Sequence, residues 1–162
     1  MNITDKYNMT QEENIFYAKR NLVDSIWKEA MLEGVPFTFP ETQTIVEGMK
    51  LDGKKEDDIV KVRNLKHSWE FLFDSIDYPL DFRYIKQMNH EIGKGIVLNA
   101  GMLRNSEVSI GGTEWKPAIP DEEIVQGEIK EILSHYCVTD KSITLMLYLM
   151  RSQLFTDGNK RT

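Results

Sequence analysis

The sequence is poor in the features that mark secreted and membrane proteins. It has a single cysteine, Cys137, so no internal disulfide can form, which favours a reducing compartment. No apolar run approaches the ~18 residues needed to span a bilayer. Residues 1–11 also lack the apolar core of a signal peptide. These absences predict a soluble, cytoplasmic protein with no membrane partner.

Positive charge is also scarce. The chain has 20 Lys and Arg against 26 Asp and Glu, a formal net charge of -6 at pH 7. No basic stripe could neutralise a nucleic-acid backbone, so the composition argues against nucleic acid as a partner. A hydrophobic content of 41% over 162 residues is ordinary for one folded domain.

Most of the sequence has helical periodicity. Two capping-box patterns, Thr10 with Glu13 and Thr38 with Glu41, mark helix starts. The apolar spacing predicts helices over 10–34, 38–48, 57–76, 81–96, 121–136 and 141–151. Inward positions are expected in the last two at Ile124, Ile129, Ile132, Leu133, Ile143, Met146, Leu147 and Met150. The sequence therefore predicts one all-α domain over 1–162, with N-terminal helices over 1–50 and a core over 51–162.

One segment departs from this pattern. Residues 107–110 alternate polar with β-branched side chains, and Gly111-Gly112 supplies a turn. Pro117 and Pro120 forbid a helix. A β-hairpin or extended flap is predicted here, within the helical domain.

The last ten residues, 153–162, combine a carboxylate, a glycine turn, an amide and two cations after an apolar helix. A helix starting near Gly158 would direct its free N–H groups at an anion, and Arg161 adds donors suited to phosphate. Asp157 suits Mg²⁺, which takes one or two carboxylates plus phosphate oxygens. The alternative is an Asp-Gly turn that only caps a helix.

Three motifs in order carry a family resemblance. The residues at 155, 157, 158, 159, 160 and 161 match the Fic signature, which reads His, any residue, Phe, any residue, Asp or Glu, Gly, Asn, Gly or Lys, Arg. Residues 101–104, 108, 110–112, 117 and 120 resemble the Fic flap region. Residues 44–48 resemble the inhibitory helix motif of one class. The sequence thus resembles the Fic/Doc (Fido) family, in the class with an N-terminal inhibitory helix.

The resemblance implies transfer of AMP from ATP, with Mg²⁺, to a Ser, Thr or Tyr hydroxyl of a protein. Asp157 is then expected to hold Mg²⁺, and Glu47 with Gly48 to inhibit. Nucleotide binding is expected from Phe155, Gly158, Asn159, Lys160 and Arg161. Docking of the target on the flap is expected from Arg104, Val108, Ser109, Ile110, Gly111 and Gly112, through strand addition.

The sequence departs from the family pattern at three places. Gln153 stands in the slot of the catalytic histidine, and an amide cannot take up a proton near neutral pH. Lys160 is typical of Doc-type kinases. The chain ends at Thr162, before the helix and second arginine expected after the motif, so a truncated core is predicted. Two alternatives stay open: a non-catalytic nucleotide-binding module with a regulatory role, and a Doc-like protein kinase. The target, a toxin–antitoxin role and homo-oligomerisation are also open.

Overall fold

The computed structural model describes residues 3–162, and all of its regular secondary-structure elements are α-helices. Within that range, no helix is long and apolar enough to cross a membrane. The only β pairing there is an isolated antiparallel bridge between Leu103 and Phe155. The seven helices are α1 Gln11–Arg20, α2 Leu22–Leu32, α3 Phe39–Val46, α4 Glu56–Asp74, α5 Phe82–Gly93, α6 Glu122–Leu133 and α7 Val138–Ser152. The all-helical prediction is confirmed.

The predicted β-hairpin is not seen in the described range. Residues 104–121 form turns and irregular backbone instead of paired strands. An isolated two-stranded hairpin is marginal in water, and the two prolines remove ladder donors. We keep the name flap for residues 105–120.

One compact unit contains residues 9–78 and 91–98. Helices α2, α3 and α4 pack together in it. Both predicted capping boxes form, at Thr10 with Glu13 and at Thr38 with Glu41. Its core is Ile26, Ala30, Val35, Phe37, Ile45, Ile59, Val62 and Leu65.

The single long helix predicted over 10–34 is two helices, α1 and α2, which meet at Asn21. The Asn21 side-chain amide donates to the Tyr17 carbonyl at 2.8 Å. An asparagine that bonds the backbone locally competes with the helical ladder, which explains the break.

The second compact unit contains residues 3–8, 79–90 and 99–162. Helices α6 and α7 pack against each other here. Its core is Phe82, Ile85, Val125, Ile129, Leu149, Leu154 and Phe155. The residues that follow α7 are thus anchored in this core.

The predicted inward faces of α6 and α7 were partly wrong. Ile124 is 62% exposed and Leu147 is 54% exposed, whereas Val125 and Leu149 are buried. Met146, Met150 and Ile143 are also exposed rather than inward. Helix α7 has apolar residues on both sides, so periodicity alone cannot select the buried side.

Candidate functional site

The loop after α7, residues 153–162, begins with an unusual backbone conformation. Gln153 ends the helix in the left-handed region, at φ 47° and ψ 56°. It is the one non-glycine residue with positive φ in the described chain. Its side chain donates from Nε2 to the Met150 carbonyl at 2.6 Å, and its Oε1 accepts from Asn159 Nδ2 at 3.2 Å. The amide is thus engaged at both ends.

Asn159 closes the loop on itself. Its Oδ1 accepts from the Phe155 N–H at 2.9 Å, and its Nδ2 donates to the Phe155 carbonyl at 2.8 Å. Phe155 is 1% exposed, in the core of this unit. A buried peptide group needs its hydrogen bonds, so Asn159 fixes the backbone where the loop enters the core.

A helical turn starts at Gly158. Its carbonyl accepts from the N–H groups of Arg161 and Thr162, both at 2.9 Å. Within residues 3–162, the N–H groups of Asn159 and Lys160 donate to no acceptor. Gly158 has φ 79°, which glycine adopts without strain. The turn therefore presents free backbone donors, as at the N-terminus of a helix.

Asp157 and Arg161 flank this turn as an ion pair. Arg161 Nη2 lies 3.2 Å from Asp157 Oδ1, which also accepts from the Gly158 N–H. The Arg161 side chain is 5% exposed, whereas that of Asp157 is 52% exposed. No hydrogen bond to the second oxygen of Asp157, Oδ2, is found within residues 3–162.

Asn89 of α5 holds the loop through hydrogen bonds. Its Nδ2 donates to the Asp157 carbonyl at 2.9 Å and to the Thr162 Oγ1 at 3.0 Å, and its Oδ1 accepts from the Gly101 N–H at 2.8 Å. A Cβ at Gly101 would lie 2.7 Å from the Lys86 carbonyl oxygen, so only glycine fits there. No sequence pattern singles out Asn89.

Arg104 joins the flap to this loop. It is 3% exposed, and burial lowers the pKa of its guanidinium, which nonetheless stays protonated. Its Nε donates to the Gln153 carbonyl at 2.6 Å. Its terminal nitrogens donate to the carbonyls of Ser106, Pro117, Ala118 and Ser152. Its donors are thus turned inward onto the backbone of both segments.

The other expected docking residues lie at the surface of the flap. Ser109, Gly111 and Gly112 are exposed, and Val108 and Ile110 are half-buried. Glu47 and Gly48, in the other compact unit, follow α3 and are exposed. The Glu47 Oε1 accepts from the Gln43 side chain at 2.7 Å.

Comparison with known proteins agrees with the geometry of this loop. A family model described as Fic/DOC family matches residues 79–162, just over half of the chain. The chain belongs to the Fic/DOC family. No curated protein matches the sequence significantly. The match covers α5, the flap, α6, α7 and the loop, so the Fic match includes every group described above except Glu47 and Gly48.

Residues 153–162 offer one side-chain carboxylate, Asp157, to a metal ion. No cluster of three or more His, Cys, Asp or Glu suited to a metal occurs among residues 3–162. Mg²⁺ does not require such a cluster, because it keeps several waters and binds through one or two carboxylates with substrate phosphates. The half-exposed carboxylate of Asp157 fits that mode of binding.

Proposed function

We propose that this chain binds Mg-ATP at residues 153–162 and transfers AMP to a hydroxyl group of a protein. The observation that carries the proposal is the turn at Gly158, where the N–H groups of Asn159 and Lys160 donate to no acceptor within residues 3–162 and the next residue, Arg161, supplies a guanidinium. The backbone donors of one helical turn and a planar cation together suit the phosphates of a nucleotide.

Each group in the loop has a role in this proposal. The turn and Arg161 stabilise charge on the phosphates, which is the main source of catalysis in phosphoryl and nucleotidyl transfer. Asp157 holds Mg²⁺, which neutralises phosphate charge when bound. Phe155 and Asn159 keep the loop in one conformation, so that little reorganisation accompanies the reaction.

The reaction needs one bond to form and one to break. The target hydroxyl oxygen attacks the α-phosphorus of ATP, and the bond from that phosphorus to the oxygen bridging to the β-phosphate breaks. AMP stays on the target and pyrophosphate leaves. The hydroxyl proton has to leave as well, and the amide of Gln153 cannot accept it near neutral pH. Water therefore takes the proton, and the reaction is slow.

A second function is favoured by the engagement of Gln153. Both ends of its side-chain amide are hydrogen-bonded, to Met150 and to Asn159, so the amide holds the end of α7 instead of contacting a substrate. A loop that keeps its phosphate groups but has no base is suited to binding nucleotide without turnover. A regulatory module and a slow AMP transferase would bind ATP with the same affinity. Only the transferase would form a protein that carries AMP.

Lys160 supports a third reaction, the phosphoryl transfer of Doc-type proteins. This reading rests on one exposed residue, so it ranks below the other two. Inhibition by Glu47 is also part of the proposal. It rests on the resemblance of residues 44–48 to the inhibitory motif, in which a glutamate obstructs the γ-phosphate.

The test compares the wild-type protein with Gln153→His, Glu47→Gly and the double variant, using ATP labelled in the α- or the γ-phosphate and a cell lysate. A base typically contributes ~100- to 10,000-fold in rate, so Gln153→His should raise α-label incorporation by about that range. Glu47→Gln is the matched control for Glu47→Gly. It removes the charge of Glu47 and keeps the shape of its side chain, so it separates loss of charge from loss of the side chain. Asp157→Ala should abolish labelling in every background.

The outcomes separate the readings. Weak α-label transfer by the wild type supports slow AMP transfer. Tight ATP binding with labelling only after Gln153→His supports the regulatory module. Transfer of the γ-label alone supports the Doc-type reaction. Absence of ATP binding by the wild-type and all variant proteins contradicts the proposal.

A further inference from the structure

A surface groove lies between the flap and α7. It has a volume of about 430 Å³ and is lined by Ile110, Thr113, Trp115, Leu147, Met150 and Arg151. Trp115 is 47% exposed and Leu147 is 54% exposed, so large apolar surfaces face solvent here. Exposed apolar surface of this kind often marks a binding site.

Arg151 gives this groove a charge. Its guanidinium lies 4.5 Å from the centre of the Trp115 ring, in a cation–π contact. No carboxylate of residues 3–162 pairs with it. A guanidinium that lies over an aromatic ring keeps N–H donors for a planar acceptor such as a carboxylate. Arg161, by contrast, is paired with Asp157.

One side of the groove adjoins the loop of residues 153–162 in sequence. Arg151 precedes Gln153 by two residues, and Met150 accepts a hydrogen bond from the Gln153 side chain. The opposite side of the groove is formed by Ile110, Thr113 and Trp115 of the flap. A segment bound here would lie beside both the flap and the end of α7.

We propose that this groove selects the target segment by an acidic residue next to a large apolar residue. The carboxylate pairs with Arg151, and the apolar side chain packs against Leu147 and Met150. The chain as a whole has a net charge of -6, so its overall charge does not attract an acidic segment, and the preference is assigned to Arg151. This inference rests on the proposed function, since it names the class of target.

The test uses an array of synthetic peptides, each with one central threonine. The neighbouring pair is Asp-Leu, Lys-Leu, Ser-Leu or Asp-Ser, and the proteins are wild type, Arg151→Glu and Arg151→Lys. The wild type should bind Asp-Leu peptides about tenfold better than Lys-Leu peptides, and Arg151→Glu should reverse that order. Arg151→Lys should keep the order with a smaller ratio, because ammonium lacks the planar fork.

Two further variants define the groove. Leu147→Ser should weaken binding of all Leu-containing peptides and leave the charge preference intact. Lys130→Glu is the matched control, because it reverses an exposed cation of α6 outside the groove. It should leave the preference unchanged.

Mg-ATP binding is measured on the same samples, with Asp157→Ala as the negative control. If the wild-type protein does not bind Mg-ATP, the proposed function is contradicted. ATP binding together with peptide selection that ignores the charge at Arg151 overturns the groove inference alone. The inference is also overturned if sedimentation shows a dimer that Arg151→Glu dissociates, since a second copy would then fill the groove.

Discussion

The two ends of α7 are held by different kinds of contact. At the N-terminal end, Asp5 accepts from the Val138 N–H at 3.3 Å, the Thr139 N–H at 2.8 Å and the Thr139 hydroxyl at 2.6 Å. The helix has no capping side chain of its own there, because Cys137 makes no cap bond. A carboxylate from more than 130 residues away in sequence therefore caps it at the surface.

The C-terminal end is held by buried, mostly uncharged groups. The carbonyls of Ser152, at the end of α7, and of Gln153 accept hydrogen bonds from the Arg104 guanidinium. Asn159 closes the loop through its bonds to Phe155. Most of these partners are enclosed, so the contacts are little screened by solvent. Contacts at both ends thus hold α7, whereas the loop is held by the contacts at the buried end together with Asn89 of α5.

The largest loss of stability is expected from Asn159→Ala, which removes the hydrogen bonds that close the loop at the buried end of α7. The Phe155 N–H would lose its acceptor inside the core, and an unsatisfied buried group costs about 3 kcal/mol with its lost partners. Urea unfolding should show this loss of stability, and Mg-ATP affinity should fall with it. Asn105→Ala in the exposed flap is the control and should change stability by less than about 0.5 kcal/mol. Equal effects of the two changes would show that Asn159 does not hold the loop.

A smaller effect is expected from Arg104→Lys. An ammonium retains the charge but cannot reach the carbonyls of the flap and the loop together, so stability should fall by about 2 kcal/mol. Arg83→Lys, at an exposed arginine, is the matched control. Hydrogen exchange should rise at residues 105–120 and 153–162 in the first variant only. A rise confined to the flap would contradict a connection between the two segments.

The left-handed backbone of Gln153 is a second feature of the buried end that substitutions can test. Alanine and glycine both remove its side-chain bonds, but only glycine tolerates the left-handed region without cost. Gln153→Gly should therefore be more stable than Gln153→Ala by about 1 kcal/mol in urea unfolding. If the two are equally stable, the residue does not hold this conformation in solution.

Much of the helical order was predictable, because capping boxes and apolar spacing are local signals. The boxes at Thr10 and Thr38 formed as predicted. The loop motif led to the family that the match over residues 79–162 shows, whereas the roles of its residues stay a prediction. The remaining features depend on distant partners. Asn89 and Asp5 act on residues far along the chain, and no local pattern marks them. Arg104 could be placed in the flap region by motif, but its carbonyl partners required the fold.

The smallest effect is expected at the exposed end, and it depends on pH. Hydrogen bonds from Thr139 lower the pKa of Asp5 from 3.8 to about 2. A lowered folded-state pKa means that the ionised cap stabilises the protein above pH 3.8 and that this contribution is lost as pH falls through about 2. Asp5→Asn should lower the urea midpoint at pH 7, and the difference from wild type should shrink between those two pH values. Glu114→Gln, at an exposed carboxylate of the flap, is the isosteric control.

Mg-ATP affinity at pH 7 should be the same in all three proteins, because the cap lies at the opposite end of α7 from the loop. A fall in affinity on Asp5→Asn would show instead that the two ends of the helix are coupled.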